Sequence, residues 1–355
     1  MKRLVVCADG TWNEPSTKDG DKPCPTNVVR LAQAIAPSDG RVAQVVYYHD
    51  GVGTHPGIDR WLGGIFGIGL DRIICDIYRF LVQNFEPGDE LYLFGFSRGA
   101  FTARSTAGMI RKCGILRKRR VDEVADAFDF YRRADVKPAD PEAEAWRSAR
   151  SSTTRIKCIG VWDTVGSLGI PVTFLRWIAA KRFSFHDIDL SSYVDNAFHA
   201  LAIDEQRKPF LPTIWNVQPP DPAFPQRVEQ VWFAGVHSDI GGGYPETDLS
   251  DITLKWMIDR ASGCGLAIDT SIANGLAGNP CGELHDSMTS YYKLLGDGTR
   301  HVDGPTPAGA YPSTMEALSD AALARYDAWC ANRGPQYSPW PLVDYLMRTA
   351  LRRIC

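Results

Sequence analysis

Ser97 stands at the centre of Gly95-Phe96-Ser97-Arg98-Gly99, where an apolar, strand-like run from Glu90 gives way to helical spacing. A serine becomes a strong nucleophile when its hydroxyl is projected from the fold and a base takes its proton. A sharp strand-to-helix turn supplies the projection. Glycines on both flanks remove the side chains that would collide as helix crosses strand. The same turn aims the N–H of Arg98 at a developing oxyanion. The base should be an imidazole oriented by a carboxylate, in chain order serine, acid, histidine for a turn of this kind. His199, His237, His285 and His301 lie far enough downstream to follow an acid. His237 is the best placed, because Val231-Trp232-Phe233-Ala234-Gly235-Val236 reads as a buried strand that delivers it to a loop. The triplet Gly241-Gly242-Gly243 then lets backbone pass close to a site.

Asp163 closes the run Ile156 to Trp162, where a strand end would expose it, 66 residues after Ser97 and 74 before His237. Asp204, in Ala202-Ile203-Asp204-Glu205, is the alternative acid. Asp239 is too near His237 in sequence to be the first choice. A second oxyanion donor should come from a loop beside the turn. The first strand ends in Asp9-Gly10-Thr11, so Gly10 or Thr11 joins Arg98 in the expected oxyanion hole. Asp9, Asp50, Asp239 and His285 complete the expected rim. No ordinary metal-ligand spacing occurs, the nearest approach being Asp9 or Asp239 with neighbouring carbonyls, and no cofactor is expected.

These residues need a scaffold that presents strand ends along one edge. Apolar runs rich in β-branched residues recur at 3–8, 42–48, 90–95, 156–162 and 229–235, with helical spacing between them. That alternation predicts a mostly parallel sheet flanked by helices, and the Gly95 to Gly99 turn at a strand end reads as the nucleophile elbow of an α/β-hydrolase fold. Ile73, Ile74, Ile77, Tyr78, Leu81 and Val82 mark a helix over 69–84. Residues 98–112 continue helically from Ser97 with small residues for close packing, and Gly114 is placed to end them. Two segments break the rhythm, 117–150 and 167–225, and both are expected as cap or lid insertions on a single domain spanning 1–355. The first opens with Arg117-Lys118-Arg119-Arg120, read as a solvated helix end. The second contains the bulky run 172–178, read as cap packing or as a lid touching lipid.

The composition is that of an ordinary globular protein: 355 residues, 44% hydrophobic, 23% charged and a formal net charge of -3. With no bulk basic field, nucleic acid is a poor partner. Nine cysteines without C-x-x-C pairs point to free thiols and a reducing compartment. Asp9 interrupts the first apolar run too soon for a signal peptide, and no stretch approaches the roughly 20 apolar residues of a spanning helix. The expectation is a cytoplasmic protein, with secretion by a signal-less route as the alternative.

Taken together, Asp9-Gly10-Thr11-Trp12-Asn13, Asp50-Gly51-Val52-Gly53-Thr54, Gly95 to Ala100, Val161 to Gly166, Trp232 to Tyr244 and His285-Asp286-Ser287 resemble the DUF2235 family. Its members include the Tle1-like phospholipase effectors of type VI secretion. The likeness covers roughly residues 3–300. It implies an α/β-hydrolase with Ser97, Asp163 and His237 as its triad, acting on a glycerophospholipid or similar acyl ester, with transient membrane-surface contact. Two other readings stay open. A phosphatase is suggested by Asp9-Gly10-Thr11 after an N-terminal strand, although Cys7 stands where such enzymes need an aspartate. A non-catalytic module could use a hydrolase pocket to hold a lipid or partner.

Overall fold

The computed structural model describes residues 1–10, 15–51, 63–165, 189–217, 224–289, 292–293, 296–303 and 315–349, with side chains in the helix that starts at 63 described from 69 onward. Among the described residues seven strands form the central sheet: β1 (Arg3–Ala8), β2 (Gln44–His49), β3 (Glu90–Phe96), β4 (Cys158–Trp162), β5 (Asn196–Ala202), β6 (Arg227–Phe233) and β7 (Glu316–Leu318). Their order is β7-β6-β5-β4-β3-β1-β2, and every neighbouring pair is parallel.

Parallel strands must be covered on both faces, so β1, β3 and β4 are mostly apolar on both sides. In β1, Leu4, Val6 and Ala8 enter one core while Val5 and Cys7 enter the other. Helices α2 (Gly63–Asn84) and α3 (Arg98–Cys113) close the first face; α1 (Asn27–Ala34) and a helix over Asp248–Gly263 close the second. A third cluster, including Trp232, Tyr326 and Leu342, packs helices Asp320–Cys330 and Trp340–Thr349 beside the β7 edge. The expected helix over 69–84 is α2, and α3 ends at Gly114, whose φ of 71° is one that glycine adopts without strain. Among the described residues no helix is long and apolar enough to cross a membrane.

The insertions differ from expectation. Residues 196–202, read as cap, are the core strand β5. Asn196 and His199 interrupt its apolar pattern, yet His199 is fully buried, with Nδ1 facing Gln230 Oε1 and Nε2 accepting the Thr164 N–H. Residues 167–188 and 218–223 of that segment lie outside the described residues, and so does the bulky run 172–178. Segment 117–150 folds into a 3-10 turn and helices α4 (Val124–Arg132) and α5 (Pro141–Arg150). It packs on α2 and on the C-terminal half of α3: Arg132 pairs with Asp71 of α2, Lys112 Nζ donates to the Tyr131 and Arg133 carbonyls, and Arg147 to those of Arg111 and Lys112. It therefore braces the end of α3 away from Ser97 instead of capping the serine. Among the described residues seven cysteines are free thiols, but Cys330 is disulfide-bonded, against the expectation of thiols throughout.

Candidate active site

Ser97 leaves β3 with φ 59° and ψ −121°, a conformation that costs a non-glycine residue on the order of 1–3 kcal/mol. The turn is held by the sheet: the Ser97 N–H donates to the Trp162 carbonyl at 3.0 Å, extending the β3–β4 ladder beyond Phe96. Both flanking glycines are required sterically. A Cβ at Gly95 would overlap the Gly99 carbonyl, and one at Gly99 would overlap the Ala8 and Asp9 carbonyl oxygens. The close approach at Gly99 brings the end of β1 against the start of α3.

Asp163 follows β4 with φ 37°, its N–H bonded to the Ala200 carbonyl. Its carboxylate is fully buried and completely ligated. Oδ2 faces His237 Nδ1 at 2.6 Å, while Oδ1 accepts the Ala202 N–H at 3.0 Å. Arg300 closes the set with two parallel bonds, Nη1 to Oδ1 at 2.6 Å and Nη2 to Oδ2 at 2.9 Å. The Arg300 guanidinium is itself buried and donates to the carbonyls of Ala202 and Phe210. Burial alone would raise the Asp163 pKa, but the Arg300 charge and the His237 hydrogen bond outweigh it and hold the group well below the usual carboxylate range.

His237 is also buried, and this lowers its pKa below the ordinary imidazole value against the raising pull of Asp163. Its ring lies 4.5 Å from that of Phe96, the residue before Ser97, and meets Phe210 edge-on at 5.0 Å. A Cβ on Gly241 would run into the Phe96 ring, so the first glycine of the triplet lets this turn approach β3. Three consecutive amides ahead of and at His237 are each taken by a different carboxylate: Gly235 by Asp204 at 2.7 Å, Val236 by Asp239 at 3.0 Å and His237 by Glu205 at 3.2 Å. The imidazole is thus fixed through its backbone as well as its ring. Glu205 also pairs with Arg207 and accepts from Ser287; Arg207 holds it below its usual pKa despite burial.

The structure brings Ser97, Asp163 and His237 to one end of the sheet and gives Asp163, not Asp204, the imidazole. Asp204 accepts the Gly235 N–H and the Tyr337 hydroxyl, and burial raises its pKa to about 7. The Gly10 expectation needs correction: its N–H donates to Asp9 Oδ1 at 2.7 Å and so closes the turn instead of facing a substrate. Thr11 lies outside the described residues; Arg98 is the first residue of α3, where N–H groups fall outside the helix's own ladder. Asp9 Oδ2 accepts from Thr26 and Tyr48, so both its oxygens serve the fold, and burial raises its pKa to about 6. Asp50 is half exposed at the end of β2, and its turn lies outside the described residues after Gly51. Asp239 pairs with His285 Nδ1 at 2.7 Å, and Tyr244 stacks on that ring at 3.8 Å. Among the described residues, Glu246, Glu283 and His285 place one ligand atom each within 4.8 Å of one another, the geometry closest to a metal site; both glutamates are exposed. Arg300 and Glu205 were missed by sequence reasoning; neither sits at a motif spacing.

A parallel sheet in which one strand delivers a serine on a strained turn, while the next strand and one further along supply a buried carboxylate–imidazole pair, is the architecture of an α/β-hydrolase. The chain belongs to the family described as "T6SS, Phospholipase effector Tle1-like, catalytic domain", whose profile matches residues 2–260. A relative is the uncharacterized protein YEL023C of Saccharomyces cerevisiae, 31% identical over 242 residues; the match covers 61% of this chain and 33% of that protein, so the chain spans about a third of its length. Similar solved structures include an uncharacterized protein from Pseudomonas aeruginosa, with a TM-score of 0.48 and 17% identity over 98% of this chain and 52% of that one. Another is the Tle1 effector bound to the VgrG spike of the type 6 secretion system, with a TM-score of 0.42 and 15% identity over 97% of this chain and 82% of that one.

Proposed function

We propose that the chain is a serine hydrolase of lipid acyl esters, with Ser97 as nucleophile, His237 as general base and acid, and Asp163 as the group that orients the imidazole. The observation that carries this reading is the 2.6 Å bond from Asp163 to His237 Nδ1 beside the strained Ser97 turn. That bond places a proton on Nδ1 and leaves Nε2 as the base. His237 takes the Ser97 proton as the oxygen attacks the ester carbonyl. The oxyanion is met by the N–H of Arg98 and a second donor from the loop after β1, where Thr11 is the remaining expectation. His237 then returns the proton to the departing alcohol, and water releases the acyl group by the same steps in reverse order. Arg300 keeps Asp163 ionised throughout.

Family membership supports a phospholipid or related lipid ester as substrate. In this reading Leu211, 44% exposed and next to the Phe210 that touches His237, would meet an acyl chain or a membrane surface. The test is hydrolysis of p-nitrophenyl esters of graded chain length by wild type and Ser97→Ala, run beside p-nitrophenyl phosphate and labelling by a fluorophosphonate. Ester cleavage and labelling should both vanish in Ser97→Ala, a loss on the order of 10⁴-fold or more in rate. Wild-type protein that neither labels nor cleaves any ester would return the chain to the binding-module reading. Phosphate release independent of Ser97 would favour the phosphatase.

A further inference from the structure

A cavity of about 230 Å³ opens between the C-terminal half of α3 and the loop after α4. Its lining carries five cations: Arg104, Arg111 and Lys112 from α3, and Arg133 and Lys137 from the loop. Among the described residues, Asp189 is the single carboxylate on the wall. Asp135 and Glu142, outside the lining, pair with Arg133 and offset its charge, so the positive character of the wall rests on Arg104, Arg111, Lys112 and Lys137. This concentration occurs in a chain whose overall charge is -3. Two of the cations are held inside the protein. Arg104 is 8% exposed with its guanidinium 4.9 Å from the Trp215 ring, and Lys112 is 4% exposed with Nζ on two main-chain carbonyls. Burial lowers the Lys112 pKa.

Clustered cations beside a partly enclosed, low-dielectric space repel one another and attract a multiply charged anion. Arginine and lysine together match phosphate oxygens, the former by its fork and the latter as a compact charge. Ala107, Val136, Ile159 and Leu190 supply an apolar floor that suits a short carbon group attached to such an anion. The volume accommodates a group the size of a glycerol phosphate. Along α3, at 1.5 Å per residue, the lining residues Arg104 to Arg111 lie about 10 to 20 Å from Ser97, so a ligand here leaves the ester site open.

We propose that this cavity binds a phosphomonoester of a small polyol, at a site separate from Ser97 and independent of the esterase reading. Calorimetric titration of the full chain with inorganic phosphate and with glycerol 3-phosphate, at ionic strength matched with sodium chloride, tests the soluble source. Co-sedimentation with phosphatidylcholine vesicles with or without phosphatidic acid tests the same headgroup on a lipid. The variant is Arg111→Glu combined with Lys137→Glu, both at the outer part of the wall, with its unfolding midpoint measured to establish that it folds. Binding in either arm that weakens roughly tenfold or more in the double variant and survives in Arg111→Lys supports the site, and the arm that responds names the source. The proposal is overturned if wild type binds neither form above the chloride control, or if the folded double variant binds as wild type does.

Discussion

Replacing Arg300 by methionine keeps much of the side-chain length and removes the charge from beneath Asp163. Two hydrogen-bond lengths, 2.9 Å from Arg300 Nη2 to Asp163 Oδ2 and 2.6 Å from there to His237 Nδ1, put the guanidinium within about 5.5 Å of the imidazole. At an effective dielectric of ~20 that separation corresponds to about 3 kcal/mol against a protonated imidazole, or roughly two pKa units. Neither Arg300 nor Asp163 has side-chain exposure, so solvent screens this little. Wild type should show an acid limb of kcat/KM below pH 6.5, because burial lowers His237, and Arg300→Met should move that limb upward by about one to two pH units. Arg300→Lys keeps the charge without the fork, so its limb should stay within roughly half a unit of wild type while kcat falls. Breaking the buried pair should also cost about 3–5 kcal/mol of stability. Since the Asp163 pKa is depressed in the fold, its contribution is present above the unfolded value near 3.9 and is lost as pH falls. Weakening that depression should make acid unfolding begin at higher pH in Arg300→Met. The assay is ester hydrolysis from pH 4.5 to 8.5, with product read after an alkaline quench and folding checked by circular dichroism. A folded Arg300→Met enzyme with the wild-type acid limb would refute the electrostatic role.

Asp163→Asn should lower kcat about 10⁴-fold by allowing the wrong imidazole tautomer, with Ser97 labelling by fluorophosphonate slowed in parallel. Gly99→Ala puts a methyl into the Ala8 and Asp9 carbonyl oxygens, which are backbone atoms with no rotamer to escape into; urea unfolding should show a loss of roughly 3 kcal/mol or more. Asp204 has a folded pKa raised to about 7, so the native state binds its proton more tightly than the unfolded chain, and the stability this confers is lost as pH rises from about 4 to about 7. Asp204→Asn keeps an acceptor for Gly235 and Tyr337, so its stability relative to wild type should increase across that window; a constant difference at pH 4.5 and pH 8 would contradict the raised value.

What could be read from the sequence follows from how local each requirement is. The Ser97 turn is a steric problem solved within five residues, so Gly95 and Gly99 announce it, and the atoms they make room for are where that reasoning expects them. Asp163 and His237 were legible because each follows a continuous apolar run, and a parallel sheet aligns the ends of such runs along one edge. β5 was not legible, since His199 and Asn196 break its pattern and only the tertiary partners Gln230 and Thr164 make a buried histidine tolerable there. Gly10 misled because a glycine after a strand signals a tight turn without saying whose oxygen its N–H will meet; Asp9, its immediate neighbour, takes it. Arg300 and Glu205 show the limit most clearly. A charge that neutralises a buried carboxylate has to satisfy distance and burial, neither of which imposes a spacing along the chain. Arg300 comes from beyond residue 260, where the family match ends, and still reaches both oxygens of Asp163. The local motifs therefore specify which side chains could react, while the protonation states that would let them do so at neutral pH depend on residues supplied from a distant part of the chain.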